Sequence, residues 1–316
     1  RTPGHRGTAV TTAWVAGSVR AKALARRRLG IAGTRRLARS RDLHEALGTL
    51  ARTSYGHDVR LEQTLAEAQH AVAASMLWHL RVLSGWVPRE GADMLRILAG
   101  GFEIANVDEQ VRGLRGESTE PAFRLGALAT ARGRLANAAS LAELRAVLNG
   151  SVWGDPGADT AAAIHLGLRL SWAARVAIGV PRAEPWAAGA AALLLARETI
   201  VAGHHLSVSS ARTAESVLGS TWVGARTLRD FAAALPPSAR WAVADLGQPE
   251  ELWRAEAAWW RRVEDDGFAL LRTAAFGDAA VLGAVGVLAV DGWRVRAALE
   301  AAARGGQAPE VFDAMA

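Results

Sequence analysis

Apolar positions recur along most of this chain at spacings of three and four, the period of a helix with one buried face. The clearest run is Leu61, Leu65, Ala68, Val72, Met76, Leu80 and Leu83, which Trp86-Val87-Pro88 brings to an end. At 1.5 Å per residue that face extends roughly 35 Å. The same period predicts helices over 9–29, 40–52, 92–112, 140–149, 159–178, 186–204, 228–235, 249–273 and 279–303. Pro and Gly punctuate them at Gly56, Pro88, Gly113, Pro121, Pro156, Pro181, Pro185, Pro236, Pro237 and Pro249. Ala, Leu and Arg dominate and β-branched residues are few, so the predicted class is all-α.

Sliding the chain against itself by 98 residues reveals a repeat. Arg36-Leu37-Ala38 falls on Arg134-Leu135-Ala136, Leu43 on Leu141, Glu45 on Glu143 and Leu50 on Leu148. Tyr55-Gly56 then falls on Trp153-Gly154, Leu95 on Leu193 and Ile97 on Leu195. A short helix, an aromatic-Gly turn and two long helices thus occur twice. A divergent third copy follows in element order: 227–235 as the short helix, 236–245 as the turn with Trp241, then 249–273 and 279–303. The expected organisation is three units, 1–117, 118–215 and 216–316.

Half the residues are hydrophobic while only 6% are aromatic, so the cores must be closely packed helices with small side chains. There is no cysteine, which removes disulfides, thiolate zinc sites and cysteine nucleophiles. The longest apolar run, 279–290, falls short of the roughly 20 residues that span a bilayer, and the stretch 166–180 is interrupted by Arg169 and Arg175. The basic N-terminal segment leads through 9–17 straight into a helical pattern and does not read as a cleaved signal, so a soluble chain is expected.

The net charge of +6 and pI near 11.0 raise nucleic-acid binding. Yet Lys22 is the only lysine, and Arg beside abundant Ala and Gly is what GC-rich coding produces. Only 20–41 is dense in positive charge, and no aromatic residue interleaves with it as a stacking platform. The chain lacks a phosphate-cradling Gly-rich loop, because no glycines precede Lys22 in the required spacing. His204-His205 are adjacent and point apart on a helix, and His44 has no third ligand in view, so neither metal nor cofactor is expected. Glu264-Asp265-Asp266 reads as a solvated face partnered by Arg261, Arg262 and Arg272. Trp78, Trp86, Trp153, Trp172 and Trp259 read as core, and adjacent Trp259 and Trp260 cannot both face inward on one helix.

Four segments in order carry a family resemblance. They are Trp14-Val15-Ala16-Gly17-Ser18-Val19-Arg20-Ala21; Asp42-Leu43 through Leu50 with Thr53-Ser54-Tyr55; Phe102-Glu103-Ile104-Ala105-Asn106-Val107 followed by Val111-Arg112; and Val290-Asp291 to Arg296 with the tail 305–315. Together they resemble the C-subunit family of bacterial and archaeal V/A-type ATPases, whose eukaryotic counterpart is the V-type ATPase d-subunit. His204 stands where the repeat would place a second Asn, and Trp293-Arg294-Val295-Arg296 lacks the family's Asn near the last Arg.

The resemblance implies three similar helical domains in a pseudo-threefold funnel. Its wide base would rest on the cytoplasmic face of the proteolipid rotor ring, meeting the membrane only through that ring, and its cavity would receive the central shaft. A protein of this kind is not an enzyme; it transmits torque between ATP hydrolysis and proton or sodium transport and holds no nucleotide. A shaft gripped without fusion calls for polar side chains, which makes Glu103, Arg112, His204, Arg294 and Arg296 candidates for shaft or inter-domain contact. Tyr55 and Trp153 are expected to plug the core at equivalent repeat positions, and Asn106 to fix helix packing through a backbone hydrogen bond. The rival from another class is an Arg-rich helical-repeat scaffold or nucleic-acid-binding regulator. A helical terpene-synthase-like enzyme ranks last, because the Asp-rich metal motif is missing.

Overall fold

The computed structural model describes residues 5–306, and only the backbone of 5–11 and 132. Every regular element among the described residues is helical. In chain order they are α1 His5–Arg26, α2 Gly30–Ala38, α3 Leu43–Leu50, α4 Leu65–Ser84, α5 Arg89–Leu98, α6 Gly100–Leu114, α7 Arg132–Leu135 and α8 Leu141–Asn149. There follow α9 Ala161–Gly179, α10 Glu184–Leu195, α11 Val208–Leu218, α12 Leu228–Ala234, α13 Pro237–Arg240, α14 Leu252–Leu271 and α15 Asp278–Ala303. Most of the tail that contributes to the resemblance, from 307 onward, lies outside the described residues.

Local chemistry sets the helix ends. Thr64 caps α4 in a reciprocal box with Glu67: the Thr64 N–H donates to Glu67 Oε2 at 2.7 Å, and the Glu67 N–H donates to Thr64 Oγ1 at 3.3 Å. The helix therefore starts at Leu65, and Leu61, expected on its apolar face, lies in the preceding turn and is exposed. The predicted helix 92–112 is broken at Ala99. A Cβ on Gly100 would stand 2.9 Å from the Trp172 ring, and the Trp172 indole donates to the Ile97 carbonyl at 2.8 Å, entering the ladder where α5 gives way to α6. The predicted helix 186–204 also ends early. After α10 the chain makes a π-turn, Ala196–Val201, where Thr199 Oγ1 donates back to the Leu195 carbonyl at 2.8 Å. His204 consequently sits in a loop, not on a helix.

The chain divides into two compact units, Arg1–Leu95 with Trp260–Ala316, and Arg96–Trp259. In the first, α15 packs against α1, α2, α3 and α4 and is buried along nearly its whole length. That explains its apolar run: a helix covered on all sides needs no polar face. Val281, Leu282, Val287, Val290, Val295 and Leu299 are fully buried, each stabilising by about 1.5–3 kcal/mol. α14 crosses it closely, since a Cβ on Gly283 would stand 2.5 Å from the Gly267 carbonyl oxygen. No helix among the described residues is long and apolar enough to cross a membrane.

In the second unit, Ile104, Val107 and Val111 of α6 form one core with Leu135, Leu144, Leu148, Trp153, Ile164 and Leu168. The sequence repeat ends its first copy near 117, yet α6 buries its apolar face against elements of the second copy. A repeat read from self-similarity and a unit read from packing therefore divide the chain at different places.

The two clear copies of the repeat share their local hydrogen bonds. Asp42 caps α3 and Ser140 caps α8, each side chain accepting the N–H of the Glu three residues on. Glu45 and Glu143 reach back to the N–H groups of Arg41 and Ala139 at 3.1 and 2.9 Å. After each helix, Thr53 and Ser151 donate to the Leu50 and Leu148 carbonyls, both at 2.7 Å. Their hydroxyls then accept the N–H of Tyr55 and Trp153 at 3.2 and 3.1 Å. Thr and Ser at these positions thus aim an aromatic side chain inward twice. The third copy retains the cap, Thr227 accepting from the Asp230 N–H, but Trp241 donates to the nearby Ser238 carbonyl at 2.7 Å.

Candidate functional site

The inward-aimed aromatics meet buried carboxylates. In the first unit Tyr55 donates its hydroxyl to Asp291 Oδ2 at 2.7 Å, and the N–H groups of Leu29 and Gly30 donate to Asp291 Oδ2 and Oδ1 at 2.8 and 2.7 Å. In the second, Trp153 Nε1 donates to Glu103 Oε2 at 3.2 Å, and the N–H groups of Thr130 and Ala131 donate to Glu103 Oε1 at 3.1 and 2.8 Å. The Thr130 hydroxyl also donates to Glu103 Oε2. Both carboxylates are only 1% exposed. Each satisfies consecutive N–H groups at or just before a short helix, α2 or α7, that has no carboxylate of its own there. Burial first, and then the Asp291 charge, pushes the Tyr55 phenol well above its usual range, so it stays a donor.

Of the five candidates for shaft contact, Glu103 and Arg294 are buried. Arg294 is 2% exposed and forms a two-pronged pair with Glu264 at 2.6 and 2.8 Å. This corrects the reading of Glu264 as part of a solvated face; Asp266, paired with Arg262 at 2.9 Å, does behave that way. Arg112, His204 and Arg296 are exposed. Arg112 lies 3.0 Å from Glu109 and 3.5 Å from Glu117 at the end of α6, and His204 Nδ1 lies 3.0 Å from Glu198 Oε2. Glu103, Arg112 and His204 belong to one unit, Arg294 and Arg296 to the other.

Asn106 clamps the segment after α6, its Nδ2 donating to the Phe123 carbonyl at 2.9 Å and its Oδ1 accepting the Phe123 N–H at 2.6 Å. Beside it lies a cleft of about 380 Å³ that Glu103, Asn106, Glu109 and Gln110 help to line. Trp153 is buried as expected, with the Arg175 guanidinium 4.8 Å over its ring. Trp78 and Trp86, expected in the core, are 50% and 48% exposed. The helical face of α4 is built from Ala68, Ala71, Val72, Leu77, Leu80 and Leu83, and Trp78 follows Leu77 on the far side. Among the described residues no group of three or more His, Asp or Glu is placed to hold a metal ion.

No protein-family model matches the sequence, and no curated protein matches it significantly either. What the arrangement does is structural: two buried carboxylates tie helix starts to aromatic turns, and a buried ion pair ties α14 to α15. Sequence reasoning misses Asp291, Glu264 and Thr130 as a set. A lone carboxylate within the apolar stretch Val287 to Val295 is the clue, because an ionised group there requires dedicated donors.

A pH response follows from His79 on α4. Burial and then the nearby Arg27 charge hold its pKa below the usual value. The unfolded chain therefore binds the proton more readily, and stability that is complete above about pH 6.5 falls as the pH drops below it. Urea unfolding of the first unit's tryptophan signal between pH 7.5 and 5 is expected to show that fall, and His79→Gln is expected to flatten it. An unchanged slope in the variant would mean that another group carries the response.

Proposed function

We propose that this chain is the non-catalytic central-stalk subunit of a V/A-type rotary ATPase, joining the central shaft to the proteolipid rotor ring. The observation that supports this reading most is the repeated local motif: a capped short helix and an aromatic turn, occurring twice with the same local hydrogen bonds, each aromatic then donating to a buried carboxylate from elsewhere in the chain. A chain built by repetition of one helical unit, with its polar buried groups consumed in tying helices together, is suited to carry load rather than to make bonds. On this reading the three sequence units surround a pseudo-threefold axis as a funnel on the cytoplasmic membrane face, and the exposed Arg112, His204 and Arg296 are the shaft contacts that remain open to a partner. The protein itself binds no nucleotide, and ATP is hydrolysed by other chains of the assembly.

The experiment is affinity isolation of the tagged chain from detergent-solubilised native membranes, with mass spectrometry of what accompanies it. Shaft subunits, a proteolipid and a P-loop ATPase subunit are expected in fixed proportion. Recovery with none of the three, at full yield of the tagged chain, would overturn the reading.

A further inference from the structure

The net charge of +6 is confined to one unit. Arg1–Leu95 with Trp260–Ala316 carries 21 basic and 15 acidic residues, while Arg96–Trp259 carries 16 of each. Within the first unit the excess is concentrated between 20 and 60, where 11 basic residues face three acidic ones. Coding bias toward Arg acts on both units alike, so it does not account for a neutral unit beside a strongly basic one.

The excess is at the surface. Arg26, Arg27, Arg36, Arg39, Arg52 and Arg60 are exposed, and none of them pairs with a carboxylate among the described residues. They are also close together. α2 has nine residues, about 13 Å, so Arg26 and Arg27, at the end of α1 just before it, and Arg36 and Arg39, at its far end, bracket one short rod. The loop carrying Arg52 is tied to the same place, since Ser54 Oγ donates to the Arg27 carbonyl at 2.8 Å. Like charges at this spacing repel one another across about one Debye length, a cost that a polyanion removes.

Exposed tryptophans accompany the arginines. Trp78 stacks on His57 with ring centroids 6.4 Å apart, and Trp86 lies under the Arg20 guanidinium at 4.7 Å. A half-exposed indole beside a guanidinium has an apolar body and a polar rim, which suits the headgroup level of a bilayer. Arg in place of Lys adds a planar fork that matches phosphate oxygens two at a time. We propose that the arginine-rich surface of the first unit, from the end of α1 through α2 to the loop 51–60, binds the phosphate headgroups of an anionic lipid surface. This rests on the reading of the chain as a peripheral part of a membrane complex.

The test uses the full-length chain and vesicles of phosphatidylcholine, with or without 30% phosphatidylglycerol (about 30% keeps the surface strongly anionic). Sedimentation is expected to show binding only to the anionic vesicles, falling steeply with added salt. Arg36→Ala with Arg39→Ala is expected to weaken it about thirty-fold, at roughly one charge's worth of attraction per arginine. Arg226→Ala with Arg229→Ala, exposed in the neutral unit, is expected to leave binding unchanged. Circular dichroism confirms that each variant is folded. Equal binding to both vesicle types, or single-stranded RNA bound ten-fold tighter than anionic vesicles, would overturn the proposal. If the vesicles fail while affinity isolation still recovers the rotary subunits, the lipid surface alone is lost and the proposed function stands.

Discussion

Asp291→Ala is expected to destabilise the first unit by about 4 kcal/mol, because it leaves several buried donors without an acceptor. The Leu29 and Gly30 N–H groups and the Tyr55 hydroxyl all converge on this carboxylate within 2.8 Å. Bulk water does not reach the site, which is 1% exposed, and a single trapped water has two lone pairs for three donors. Tyr55→Phe removes one donor with its need and is expected to cost about 1 kcal/mol. Chemical denaturation of the single and double variants measures both numbers and their coupling. A cost for Asp291→Ala under about 1 kcal/mol would mean that the carboxylate does not organise the start of α2.

Removing one partner of the Arg294–Glu264 pair is the second large effect. Arg294→Met is expected to cost about 3–5 kcal/mol, because the Glu264 carboxylate is left inside the unit without its two guanidinium hydrogen bonds at 2.6 and 2.8 Å. Replacing both by Met is expected to restore most of the loss, since desolvating two charges costs about as much as their attraction returns. The double variant then separates two readings of Arg294. If stability recovers but binding to the shaft is lost, Arg294 also acts on a partner; if both recover, its role is confined to joining α14 and α15. A single Arg294→Met variant as stable as the parent would contradict the buried geometry.

These two sites separate what is legible in the sequence from what is hidden. The period of three and four exposes nearly every long helix, because burial of one face dictates it. The 98-residue offset aligns Tyr55 with Trp153, since Thr or Ser two residues earlier fixes the same turn in both places. What each aromatic donates to is not legible. Asp291 is 236 residues from Tyr55, and Glu103 precedes Trp153 by 50, so the equivalence is one of space and not of register. The break at Ala99 is hidden because it depends on an indole from α9. α2 and α11 escape the pattern because their buried faces are made largely of small or polar residues, Gly33, Thr34, Leu37 and Ala38 in one and Ser210, Ala214 and Leu218 in the other. The exposure of Trp78 and Trp86 and the burial of Glu264 reverse what residue type alone suggests, and in each case the neighbouring helix decides.

Coupling of the shaft to the rotor ring is read out by ATP-driven ion uptake in native membrane vesicles from cells depleted of the chain, alongside ATPase activity in the soluble fraction. Uptake is expected to be lost while ATP hydrolysis persists in a released headpiece, and adding the purified chain is expected to restore uptake. Uptake at the normal rate in vesicles shown to lack the chain would contradict a coupling role.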